Sequence, residues 1–283
     1  MKRVLVTGAD GSIGRAAVTG LRASGYQVTG LALSYEQSST ADRPLIGDAR
    51  SPADVAAAMD EVDAVLHLAA IPHPSLGTPE EVFDNNVTAT FTVLAQAGQR
   101  GIDRVVIASS INAFGVPMNV HPVVPAYYPL DEEVGADIAD AYSLSKSVDE
   151  QSARMAWRRW GTKVIALRFP LVKNREKLLE IAAKVAVDPT VMAREGWAYL
   201  DERDAVSAII AALESPAPGA HVVGLAADDI LLDRPTAELL REYAPTVPLR
   251  HPVTGRGSLV DTSRARDLLG FTPRHSVHTA DAG

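Results

Sequence analysis

The sequence predicts an α/β fold, a doubly wound parallel sheet with a small C-terminal α/β substrate lobe. Three observations carry this expectation. Short β-branched runs alternate with longer alanine-rich helical patterns through the first 170 residues, the rhythm of parallel βαβ units. The strand-like runs, such as "DRVVIA", are apolar without strict alternation, as expected when helices cover both faces of a sheet. A glycine-rich turn, "TGADGSIG", stands between the first strand and the first helix.

Taken in order, "KRVLVTG" reads as a strand, "SIGRAAVTGLRASG" as a helix, "YQVTGLAL" as a strand, and "SPADVAAAMDEV" as a helix entered at Ser51 with Pro52 in its first position. "DAVLHLAA" is the next strand. The helix "TPEEVFDNNVTATFTVLAQAGQR" starts with Thr78 facing Glu81, a capping-box spacing. "DRVVIASS" follows as a strand, and then a proline-rich loop from Phe114 to Asp140, long enough to suggest a functional role. "DAYSLSKSVDEQSARMAWRRWG" predicts a long helix with Tyr142 and Lys146 in its first turns, and "TKVIALRF" another strand. Beyond residue 170 the rhythm loosens into a helix at "KNREKLLEIAAKVAV", a short strand and helix in "WAYLDERDAVSAIIAALES", and a strand at "AHVVGLAA". Residues 1–170 are therefore expected to form a dinucleotide-binding core, and 171–283 a smaller substrate-binding lobe interleaved with it.

Gly8, Gly11 and Gly14 fit the needs of a dinucleotide site of the Rossmann kind. One glycine permits the tight turn, one lets backbone approach a pyrophosphate, and one lets the helix pack on the strand, while Ser12, Ile13 and the helix N-terminus face the anion. A ribose-binding carboxylate is expected at the end of the second strand. The strand instead ends "GLALSYEQ", so Ala32 and Leu33 occupy that region, Ser34 follows and Glu36 lies beyond it. The cofactor reads as NAD or NADP, with a slight lean to NADP through Arg43.

Composition narrows the classes. Apolar residues at 47% and charged residues at 22% describe a globular chain. A net charge of -8 argues against nucleic acid bound through its phosphates, and the arginines of "RMAWRRW" read as a solvated helix face with partly buried tryptophans. With no cysteine there is no disulfide, thiolate nucleophile or thiolate metal site. The seven histidines show no metal-ligand spacing. No signal peptide and no membrane-length apolar run is visible, so a cytoplasmic location is expected.

Together, TGxxGxxG and YxxxK resemble the short-chain dehydrogenase/reductase superfamily, specifically its extended branch, the NAD-dependent epimerase/dehydratase family. The resemblance covers most of the chain. It implies that Asp48 meets an adenine amine with Ala49 beside it, and that Leu68, Ala69 and Ala70 of "HLAA" lie along the cofactor. Asn86 of "NNVTAT" takes the position of the family's structural asparagine beside the cofactor, and Ala108 and Phe169 complete the cofactor wall. Ser110 of "ASSINAFG" falls on the catalytic serine or threonine position.

Several features depart from the usual pattern: Phe114 replaces a tyrosine, "LRFPLV" replaces an asparagine-bearing segment, and the region from Leu171 to Glu195 is short. This resembles the compact C-terminal lobe of uronate dehydrogenases. It implies a substrate smaller than a nucleotide sugar. Asn112 stands where dehydratases place an extra acid, which argues against a dehydratase.

A free tyrosine has a pKa of about 10 and needs a nearby cation to act as a base near neutrality. Lys146, one helical turn from Tyr142, suits that role and can also hold a nicotinamide ribose. The expectation is Tyr142 as general base or acid, Lys146 as its electrostatic partner, and Ser110 as the group orienting the reacting oxygen. Ile111, Asn112 and His73 are candidate substrate contacts; Asp201 and Asp204 read as helix caps. The function reads as an NAD(P)-dependent oxidoreductase acting on a sugar or sugar acid. A nucleotide-sugar epimerase using the same residues and a non-catalytic cofactor-binding regulator are the alternatives. A homodimer through the helices near residues 79–100 and 140–160 is implied by the resemblance.

Overall fold

The computed structural model describes residues 2–279. Seven parallel strands form one sheet: β1 (Arg3–Thr7), β2 (Gln27–Ala32), β3 (Arg43–Ile46), β4 (Ala64–His67), β5 (Arg104–Ser110), β6 (Lys163–Phe169) and β9 (Ala220–Gly224). Their spatial order is β3-β2-β1-β4-β5-β6-β9. The order reverses between β1 and β4, and the crevice at such a switch point is where open α/β sheets bind ligands. The small edge strand β3, unforeseen from the sequence, contains Pro44 opposite Gly30 of β2. Proline cannot donate to a ladder and is tolerated at a sheet edge.

Helices cover both faces. On one side α1 (Ser12–Ala23) packs against α6 (Glu202–Glu214), and Val18, Leu21, Ala208 and Ile209 join the buried residues of the sheet. On the other, α2 (Pro52–Ala58), α3 (Pro79–Gln99) and α4 (Ala141–Trp160) bury Val55, Val93, Leu94 and Ala153 against β1, β4, β5 and β6. The predicted caps are present: Ser51 Oγ accepts from Asp54 N with Pro52 in the first turn, and Thr78 with Glu81 forms a complete capping box. Of the two tryptophans expected to be partly buried, Trp160 packs on Gly98 while Trp157 is 36% exposed.

A second hydrophobic cluster lies beyond the sheet. It contains the fully buried Trp197, Tyr199, Ile230, Leu231 and Leu259, and it surrounds the short parallel pair β7 (Leu171–Lys173) and β8 (Tyr199–Asp201) with α5 (Arg175–Val187) nearby. The loop 114–140 runs into this cluster rather than over the surface. Tyr128 N donates to Pro248 O, Tyr128 Oη to Ala193 O, and Leu130 N to Leu259 O. Helices α7 (Thr236–Tyr243) and α8 (Ser263–Leu269) complete the chain.

Asp201 caps α6 as expected, but Asp204 does not serve as a cap. Its buried carboxylate accepts from Arg274 N, His275 N and His275 Nδ1 and so fastens the C-terminal segment.

Candidate active site

The glycine turn after β1 is set by contacts only glycine allows. Gly8 has φ +68°, and a Cβ there would lie 2.8 Å from Ala69 N; a Cβ on Gly14 would lie 2.1 Å from Gly8 O. Thr7 accounts for the other side of the turn. Its hydroxyl accepts from Leu68 N and Ala69 N and is 2.7 Å from His67 Nδ1. The far nitrogen of His67 meets Thr90 Oγ1 at 3.1 Å. Burial, followed by the positive charge of Lys146, pushes the His67 pKa down to about 3, so the ring is neutral and serves as a spacer between β1, β4 and α3.

Two adjoining cavities open at the C-terminal ends of the strands. The first, about 330 Å³, is lined by Gly8, Gly11, Ser34, Asp48, Ala49, Leu68, Ala69 and Ala70 from the sequence-predicted set. It is also lined by Asp10, Leu33, Ile71 and Asn85, which the sequence reading missed. Asp48 forms an ion pair with Arg50 at 2.7 Å, and the hydrogen bonds from Arg50 hold the Asp48 carboxyl below its ordinary range against the opposing effect of burial. Arg43, the arginine considered for a cofactor phosphate, turns the other way and donates to Ala57 O and Asp60 O at the end of α2. The lean to NADP loses its support there.

The second cavity, about 430 Å³, shares Gly8, Gly11, Leu68 and Ala70 with the first and adds Ser12, Ile13, Gly14, Ala108, Ser110, Asn112, Tyr142, Lys146 and Phe169. Asp140 caps α4 by accepting from Ser143 N, which fixes the helix start at Ala141, immediately before Tyr142. The Lys146 ammonium lies 6.0 Å from the Tyr142 ring centroid. It donates to Ala108 O at 2.9 Å and pairs with Asp149 at 3.2 Å, both side chains being buried. The Asp149 carboxyl is raised by burial, with Lys146 opposing the rise. Ser110 Oγ accepts from Asn112 N. Beneath the strand ends, Arg168 grips Glu150 through two hydrogen bonds of 2.8 and 2.9 Å, and Ser109 Oγ donates to the same carboxylate at 2.7 Å. This buried pair joins β5, β6 and α4 around the site.

Three predicted site residues lie elsewhere. Asn86 lines neither cavity: its side chain accepts from Ile71 N and donates to Ile71 O and Ser145 Oγ, bracing the segment after β4 against α4. Ile111 faces away into the second hydrophobic cluster. His73 is exposed and caps the short turn Pro74–Leu76, with Nδ1 2.8 Å from Ser75 Oγ. Conversely, Met118, Lys173 and Glu195 line the second cavity without having been singled out as site residues. Lys173 lies on β7, just after Phe169, while Met118 comes from the loop 114–140 and Glu195 from the segment Pro189–Glu195, both remote in sequence from the motifs. Among the described residues there is no group of three His, Cys, Asp or Glu side chains placed to hold a metal ion.

A doubly wound sheet with its glycine turn at the switch point, opening into a cavity that holds Ser110, Tyr142 and Lys146, defines a protein of the dinucleotide-binding class. Sequence comparison is more specific: the model of the NAD dependent epimerase/dehydratase family matches residues 4–224. The chain belongs to that family and is an enzyme of the extended short-chain dehydrogenase/reductase type. A UDP-glucose 4-epimerase of Corynebacterium glutamicum is 25% identical over 97% of this chain and 92% of its own. An L-arabinose 1-dehydrogenase (NAD(P)(+)) of Haloferax volcanii is 27% identical over 56% of this chain and 67% of its own. Among solved structures, a short-chain dehydrogenase/reductase superfamily protein from Agrobacterium tumefaciens with bound NAD superposes with a TM-score of 0.74 at 24% identity, covering 97% of this chain and 93% of the other.

Proposed function

We propose that this enzyme is an NAD-dependent oxidoreductase acting on a hydroxyl or carbonyl carbon of a sugar or sugar acid. The observation that carries the reading is the continuity of the two cavities, which leads from the glycine turn to Ser110, Tyr142 and Lys146. The residues present fit a nicotinamide dinucleotide: any Cβ at Gly8 or Gly14 would collide with backbone, leaving the close approach that a pyrophosphate needs. Gly8, Gly11 and the first turn of α1 would hold the pyrophosphate, Asp48 and Ala49 the adenine, and Lys146 the nicotinamide ribose. NAD is favoured over NADP because, among the described residues, the charged side chains lining the first cavity are Asp10 and Asp48, and a 2′-phosphate there would meet carboxylates.

When bound, the nicotinamide supplies the hydride acceptor or donor. Tyr142 takes the substrate hydroxyl proton during oxidation and returns it during reduction. Lys146, held by Ala108 O and Asp149, stands 6.0 Å from the Tyr142 ring as its electrostatic partner. Ser110 donates to the reacting oxygen and so orients it. The apolar wall formed by Phe169, Leu68 and Val172 limits water around the reacting carbon.

The division into a cofactor core through residue 170 and a substrate lobe from residue 171, a cytoplasmic location and a homodimer through α3 and α4 are parts of the same proposal. No helix among the described residues is long and apolar enough to cross a membrane.

An epimerase employs the same residues but returns the hydride to its own substrate, and the similarity to a UDP-glucose 4-epimerase favours that second reading. The test is absorbance of reduced nicotinamide with NAD or NADP across aldoses, uronic acids and nucleotide sugars, with Tyr142→Phe alongside. Net reduction that falls about 10²–10⁴-fold in the variant supports the oxidoreductase. Interconversion of UDP-sugars without net reduction supports the epimerase, and turnover retained in Tyr142→Phe overturns both.

A further inference from the structure

One charged group in the second cavity has no part in the proposed chemistry. Glu195 lines the same cavity as Tyr142, Ser110 and Asn112, and among the described residues its carboxyl has no hydrogen-bond or ion-pair partner. Burial pushes its pKa up to about 7, with no neighbouring group to support the charge.

The backbone that carries Glu195 is firmly held. It ends the short helical segment Pro189–Glu195, and the next residue, Gly196, has φ +66° with space for no Cβ, since one would lie 2.6 Å from Leu259 Cβ. Trp197, fully buried, donates from Nε1 to Pro189 O and from its backbone N to Met192 O. Tyr128 Oη donates to Ala193 O. Glu195 itself is half-buried and lines the cavity from this fixed stretch of backbone.

A second polar side chain, Asn112, lines the same cavity. Asn112 is 7% exposed and its Oδ1 is buried without a donor. A buried acceptor left without a donor costs free energy that a ligand hydroxyl recovers. The cations of the cavity do not fill these needs. Lys146 is committed to Ala108 O and Asp149. Lys173 also lines a shallow depression with Ser12, at the first turn of α1, which puts it toward the glycine turn.

We infer that Glu195, together with Asn112, is the specificity-determining pair of the substrate pocket, accepting hydrogen bonds from hydroxyls of a neutral, unmodified aldose and disfavouring sugars that carry a carboxylate. This rests on the oxidoreductase reading and narrows it. Two acceptors call for two donors, which the hydroxyls of an aldose supply. A uronate would bring a second anion into the same enclosed space, where like charges within a few ångströms are mutually unfavourable.

The test uses the full chain with NAD and matched pairs of probes, D-galactose with D-galacturonate and D-glucose with D-glucuronate, for wild type, Glu195→Gln and Asn112→Ala. Turnover is followed as cofactor reduction. Binding to the NAD-loaded protein is followed separately by saturation-transfer NMR, which needs no chemistry.

The expected result is binding of an aldose in preference to its uronate. In Glu195→Gln, kcat/KM for that aldose should fall about 10-fold or more, mainly through KM, as one charge-assisted hydrogen bond predicts. The aldose-to-uronate ratio should narrow by a similar factor. A role for Glu195 confined to folding would lower both activities together and leave the ratio alone. Preference of the wild type for the uronate, a ratio unchanged by Glu195→Gln, tighter binding of D-galactosamine than of D-galactose, or binding of no probe sugar would each overturn the inference. Selective aldose binding without cofactor reduction would leave it standing and count against the oxidoreductase reading instead.

Discussion

Gly14 lies so close to Gly8 that a Cβ on Gly14 would sit 2.1 Å from the Gly8 carbonyl oxygen. The contact is backbone against backbone, so no rotamer change relieves it. Gly14→Ala should therefore push α1 off β1 and spoil the turn between them. The expected cost is about 1–3 kcal/mol or more of stability, with NAD binding weakened at least 10-fold. Calorimetric titration with NAD and a thermal melt check both parts. Unchanged affinity with a lowered Tm would mean that the turn does not hold the cofactor.

His67 makes folding sensitive to acid. Its folded pKa is about 3 against an ordinary value of 6.5, so between these values the unfolded chain binds the additional proton. Stability then rises with pH through that window and is lost as pH falls from about 6.5 toward 3. His67→Gln should show a shallower loss of Tm between pH 6.5 and 4.5 than wild type. Parallel slopes for the two proteins would exclude His67 as the source of acid sensitivity.

Glu195 should act with the opposite sign. Its carboxyl is pushed up from 4.5 to about 7, so the folded chain holds the proton more tightly than the unfolded one. Stability therefore falls as pH rises through that interval, and it is fully retained only below about 4.5. Tyr142, Lys146 and Lys173 line the same cavity and Tyr128 lies behind it. Without substrate, Glu195→Gln should be more stable than wild type by about 1–3 kcal/mol at pH 8, with the gain vanishing near pH 4.5. Melting curves at pH 4.5, 6 and 8 provide the comparison, and a gain independent of pH would contradict the account.

The paired helices α3 and α4 leave Phe91 at 49%, Leu144 at 43% and Trp157 at 36% exposure. A dimer through these helices would cover apolar surface of the kind that marks interaction sites. Light scattering after size exclusion should give about twice the chain mass, and Phe91→Glu should shift the protein toward monomer with the fold retained by circular dichroism. A clean wild-type monomer would end the proposal.

Local rules were the most legible part of the sequence. The Ser51 and Thr78 caps, the glycine turn and the start of the Tyr142 helix depend on neighbours a few residues apart, and all are present in the structure. Residues expected at the site from their place beside a motif fared differently. Ser110 and Asn112 line the cavity, while Ile111 between them points into the second hydrophobic cluster. His73, only three residues after the cavity-lining Ala70, is spent on capping a surface turn. Adjacency in sequence does not specify which way a side chain leaves the backbone once a strand has ended.

The sequence by itself determined the parallel α/β rhythm, the phosphate-type turn and the order of Ser110, Tyr142 and Lys146, because periodicity, capping and glycine stereochemistry act over short spans. Only the tertiary structure decided that Asp10 shares the first cavity with Asp48, that Arg43 faces away from it, and that Glu195 enters the second. Those placements depend on how β3, the loop 114–140 and the second hydrophobic cluster pack against the sheet. Such packing is fixed by burial summed over distant segments, and no short stretch of sequence contains it.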